Sequence, residues 1–97
     1  MNNTFKGHTF ESTTLSGQLS VSEFKGLTIY FSYAEPIAIA SDTYVIINDT
    51  PYSATTTNHI RIVKSMFVKR RMMGFYEFQE RLERILNGTS YKRWNSY

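Results

Sequence analysis

His8 and His59 are the histidines of this 97-residue chain, and they are its natural candidates for a catalytic base near neutral pH. Nucleophilic catalysis needs such a base in contact with a hydroxyl or thiol. Ser and Thr are so abundant that a histidine close to some hydroxyl is expected by chance, and no Ser sits in a nucleophile-elbow glycine pattern. The chain has no Cys, which excludes disulfides, thiolate nucleophiles and Cys-based zinc sites. A structural zinc wants a full set of ligands at recognisable spacing, which two histidines do not supply. The five glycines are scattered, so no loop is rich enough in glycine to cradle a phosphate. These residues predict a chain that is not an enzyme, with no catalytic residue, no metal ligand and no cofactor.

Binding chemistry is better represented. Tyr52-Ser-Ala-Thr-Thr-Thr-Asn-His59 places hydroxyls and an imidazole where a helix should begin. Such groups cap the orphan amides of a first turn, or they contact an anion or phosphate there, with Tyr52, Thr56 and His59 as the residues involved. Further on come Lys64, Lys69, Arg70 and Arg71, then Lys92, Arg93 and Trp94. Basic residues interleaved with aromatics suit phosphate contacts and base stacking, the latter worth roughly 1–3 kcal/mol per base. The plainer account is a solvated loop between helices and a frayed tail. Charge is unevenly divided, however. Residues 1–59 carry two basic against five acidic side chains, a net −3, whereas residues 60–97 carry nine against three, a net +6. That asymmetry suggests an anionic partner on the C-terminal half, and it can equally serve solubility.

The elements that must position these residues follow from periodicity. Residues 4–16, rich in Ser and Thr with isolated Phe5, Phe10 and Leu15, read as an irregular arm or one short strand. Leu19 and Val21 alternate with serines. Leu27, Ile29, Phe31 and Tyr33 alternate with Thr28, Tyr30 and Ser32, which predicts a strand with one buried face and one polar face open to water or a partner. Residues 37–47 read as a hairpin started by Pro36, and residues 27–47 together as adjacent antiparallel strands with a buried set that includes Leu27, Ile29, Phe31, Ile37 and Ile39. Thr55, Thr56, Thr57 and Asn58 are competent N-caps for a helix whose stripe is Ile60, Val63, Met66 and Phe67, although Ile60 to Val68 also fits period two. Phe75, Phe78, Leu82, Ile85 and Leu86 form one face of a last helix, supported by Glu77–Arg81 and Glu80–Arg84 pairs and stopped by Asn87-Gly88.

The predicted class is therefore α+β: a small antiparallel sheet of three or four strands followed by two helices packed on one face. Residues 1–97 make a single domain, with 1–16 as an arm and 89–97 as a flexible basic-aromatic tail. The start of the chain carries no signal-peptide pattern, and no apolar run approaches the roughly 20 residues that span a bilayer. A cytoplasmic protein with no membrane association is expected.

Tyr30-Phe-Ser-Tyr-Ala-Glu-Pro-Ile-Ala38 followed by Tyr52-Ser-Ala-Thr-Thr-Thr-Asn-His59 resembles a family of uncharacterised small phage and prophage proteins. Its members pair a Y-x-T-x-I-A strand with a downstream Y-S-x-T-T-x-x-H element. The likeness covers roughly residues 27–67, and Ser-Tyr-Ala-Glu-Pro departs from the first motif. The resemblance implies a viral origin and an accessory role in the host cell. The resulting expectation is a binding protein that modulates a host protein or nucleoprotein complex, such as a defence nuclease, in the manner of an anti-CRISPR. Direct nucleic-acid binding through the basic half is the alternative, and a homodimer is a further option.

Overall fold

Lys6-Gly7 and Lys25-Gly26 both adopt positive φ at each residue, the backbone of the two-residue turns whose twist matches paired strands. They close the first and third hairpins of a computed structural model that describes residues 2–50 and 53–88. The strands are β1 (Asn2–Phe5), β2 (His8–Ser16), β3 (Leu19–Phe24), β4 (Leu27–Ser32), β5 (Glu35–Ala40) and β6 (Val45–Asn48). Each pairs antiparallel with the next. Helix α1 (Ala54–Met66) then returns the chain so that β7 (Arg71–Met73) lies parallel to β6, and α2 (Phe75–Asn87) follows. The result is one seven-stranded sheet in sequential order.

The sheet curls, because β1 also lies against β5. Its concave face holds Phe5, Phe10, Ile29, Phe31, Ile39 and Met73, closed by Phe78, Leu82 and Leu86 of α2. The opposite face carries Leu19, Tyr30, Ile37 and Ile47 under Ile60 and Val63 of α1. The two helices therefore sandwich the sheet, which corrects the expectation of a three- or four-stranded sheet covered on one face. The physical reason lies in β4, where Ile29, Tyr30, Phe31 and Ser32 are all buried. The polar-looking Tyr30 face is not open to a partner. Burial, and then the charge of Glu23, raise the Tyr30 phenol above 10.0, so it stays neutral at physiological pH and packs edge-on against Phe67.

Residues 4–16 are likewise not an arm but two strands. Their Ser and Thr pattern hides a strand whose inward positions are polar and mutually satisfied. Buried Asn3 donates from Nδ2 to Ser12 Oγ at 2.7 Å and to Ser20 Oγ at 3.1 Å, and Ser12 and Ser22 hydroxyls lie 2.5 Å apart. Buried polar groups are tolerated when paired in this way. The helices also differ in detail from expectation. Ser53, rather than a threonine or Asn58, is the N-cap of α1, and Met66 is exposed while Thr56 and His59 join Ile60 and Val63 on the buried stripe. Gly88, at φ 74°, ends α2 as expected.

Candidate functional site

Helix α1 separates two groups of polar residues. At its N-terminus, Ser53 Oγ accepts from the Thr56 amide at 3.2 Å, which satisfies one of the first-turn donors. Thr56 Oγ1 lies 3.2 Å from Ser32 Oγ, and Ser32 Oγ lies 2.7 Å from His59 Nδ1. Ser32 and Thr56 are each 1% exposed and His59 is 5% exposed. Thr56 and His59 thus turn inward onto β4, and the Ser53-to-His59 spacing exists because capping, hydroxyl and imidazole positions fall on one helix face. A serine hydroxyl beside an imidazole has the elements of a nucleophile and base. Here, however, the covered Ser32 oxygen meets α1 rather than solvent, and the arrangement ties the helix to the sheet. The exposed Tyr33 ring lies 6.2 Å from the His59 ring, tilted by 41°. Tyr33 and Ala34 reach φ 54° and 76° at the β4–β5 turn without any glycine, so the turn was not legible as a turn.

Ser32→Ala and His59→Ala should each cost about 1–3 kcal/mol, because either leaves a buried polar partner unpaired. Urea denaturation of both single variants and the double variant should give a coupling of at least about 0.5 kcal/mol. Strict additivity would mean that the two side chains do not act on each other.

At the other end of α1 the chain presents a basic corner. Phe67 caps the helix by donating its amide to the Lys64 carbonyl at 3.3 Å, and Arg70 Nη1 donates to the Phe67 carbonyl at 2.9 Å. Lys69, Arg70 and Arg71 are exposed and Lys64 is half-buried. Arg71 is not part of an inter-helix loop, as the sequence suggested, but opens β7 in register with Ile46. Lys69, Arg70 and Arg71 line a recess of about 380 Å³ with the Ser41–Val45 turn, which contributes Asp42. On the neighbouring face Arg61 and Lys64 border a second recess of about 290 Å³, with Asp49 at its rim. Among the described residues no carboxylate lies in ion-pair contact with Lys64, Lys69, Arg70 or Arg71. Val68, 94% exposed, and Met66, 48% exposed, add apolar surface to the same corner.

The structure therefore gathers Lys69, Arg70 and Arg71 around one recess, places Lys64 with Arg61 at the neighbouring one, and sets Thr56 and His59 apart, facing Ser32 of β4. Tyr52, Lys92, Arg93 and Trp94 lie outside the described residues. Sequence reasoning missed Arg61, which joins Lys64 on the exposed side of α1, and missed Ser32. Helical spacing from Lys64 was the available signal for Arg61, whereas Ser32 is remote in sequence from its partners.

Residues 4–80 match a family of unknown function (DUF8033). No curated protein and no solved structure matches the chain.

Proposed function

We propose that this chain, which belongs to the DUF8033 family, is a non-enzymatic accessory protein that binds an anionic surface of a host protein or nucleoprotein complex. The observation that carries the proposal is the basic corner. Arg61, Lys64, Lys69, Arg70 and Arg71 fall within eleven residues, and no Asp or Glu occurs from Thr50 to Tyr76. Five cations outnumber the two carboxylates that border the same recesses, Asp42 and Asp49, and this excess of like charge raises the local potential and steers an acidic partner toward this end of the molecule. Exposed Val68 and Met66 supply the apolar contact that a purely solubilising charge cluster would not need. The phage-type setting and an inhibitory action on a defence nuclease belong to the same proposal, on the strength of the Tyr52–His59 element.

The test is the variant in which Lys69, Arg70 and Arg71 are all Ala. Its fold should be intact, since the three side chains are exposed. Against duplex DNA, four phosphate contacts give the native chain a slope of log affinity on log salt near −3.6. The variant should flatten that slope by about 2.7. Against a protein partner it should lose mainly association rate, with a weaker salt dependence. Unchanged affinity of the folded variant at low salt would overturn the proposal.

A further inference from the structure

We infer that the open edge of β7 receives an extended acidic segment of a partner protein, which adds to the sheet as a further strand. This rests on the anionic-partner reading and specifies the partner's conformation. β7 is the last strand in the order β1 to β7, and among the described residues it pairs only with β6. The Met73 carbonyl accepts the Asp49 amide at 2.8 Å, so Met73 directs its backbone groups toward β6. In a parallel ladder successive residues direct theirs to opposite edges. The N–H and C=O of Met72 therefore point outward, available to an incoming strand.

The side chains around this edge specify what would fit. An added strand would run about 4.8 Å from β7 and send alternate side chains to the two faces of the sheet. On the α1 face they would meet the recess of about 290 Å³, where Ile60 and Met72 form an apolar floor and Arg61 and Lys64 a basic wall. Asp49 closes the recess at the Met73 end, which leaves the Lys64 end for an acidic side chain. On the other face they would meet exposed Arg71, in register with Ile46 of the concave side. The charges also disfavour a self-paired edge, because two copies meeting along β7 would bring two sets of Lys69, Arg70 and Arg71 to one seam. A nucleic acid would use the charges but not the Met72 backbone groups.

The experiment is an NMR titration of the full chain with a nine-residue peptide of alternating Thr and Glu. Two control peptides carry Lys in place of Glu, or N-methyl groups on alternate amides. The Glu peptide should bind at least tenfold more tightly than either control, and hydrogen exchange at the Met72 amide should slow at least tenfold when it is bound. The double variant R61E/K64E should invert the preference toward the Lys peptide. Equal binding of the N-methylated peptide, or an unprotected Met72 amide, would overturn strand addition while leaving a basic docking surface in place. Tight, salt-dependent binding of duplex DNA with no binding of the Glu peptide would overturn it in favour of a nucleic-acid partner. Failure to bind the Glu peptide, duplex DNA and heparin alike would overturn both this inference and the reading on which it rests.

Discussion

Replacing Phe31 by Ala should destabilise the protein by about 3–5 kcal/mol, the cost of emptying a buried phenylalanine site. Phe31 is fully buried at the centre of the concave face, 5.6 Å from the Phe10 ring and within the cluster that α2 closes. It lies on β4, the middle strand of seven, so its neighbours are fixed by strand pairing on both sides and cannot collapse freely into the void. A loss of this size is a large fraction of the roughly 5–15 kcal/mol that holds a domain together. Urea denaturation followed by circular dichroism measures it, and a midpoint equal to that of the native chain would show that the concave face is not the core.

The second large effect is expected at Leu82, where Asp should cost more than about 4 kcal/mol and leave much of the chain unfolded. Leu82 is 1% exposed between α2 and the sheet, so the substitution loses the packing of a buried leucine and places a carboxylate where no partner stands. The pH dependence gives an independent check. Burial favours the neutral acid and raises the folded-state pKa of the new carboxyl, so the variant is most stable below the ordinary Asp pKa and loses stability as pH rises from there through the raised folded-state pKa. By contrast, Arg84→Ala should change stability by no more than about 0.5 kcal/mol. Its guanidinium meets Glu80 at 3.0 Å, but the two side chains are 50% and 69% exposed and the pair is an i,i+4 contact in water. Thermal unfolding of both variants separates the cases. Similar losses would mean that α2 does not pack inward through Leu82, and a helix seam between two copies would then account for its apolar stripe.

The two predictions differ in how far the sequence alone supports them. The α2 stripe of Phe78, Leu82 and Leu86 was legible because helical spacing, i,i+4 charge pairs and a C-terminal glycine all agree over one continuous segment. The β4, β5 and β6 strands were legible through period-two alternation and Pro36 at a strand start, although the Tyr33-Ala34 turn between β4 and β5 was not. Local signals also located the basic residues that form the corner, since charge composition does not depend on the fold.

What the tertiary structure decided was which faces are covered. The alternation of β4 suggested a wet face, yet α1 lies over it, and nothing within β4 encodes the arrival of a helix from residues 54–66. Paired polar residues obscured β1 and β2: a serine that bonds Asn3 across the curled sheet carries the same sequence signal as one that faces water. β7 was hidden for the opposite reason. Three residues beginning with Arg71 are too short to show a period, and they become a strand because α1 returns them to the edge of β6. Composition and periodicity by themselves determined an α+β chain with a basic C-terminal half. Only long-range packing decided that Ser32 meets His59, that the helices lie on opposite faces, and that the basic residues flank an open strand, because each depends on contacts between segments whose separation no local pattern records.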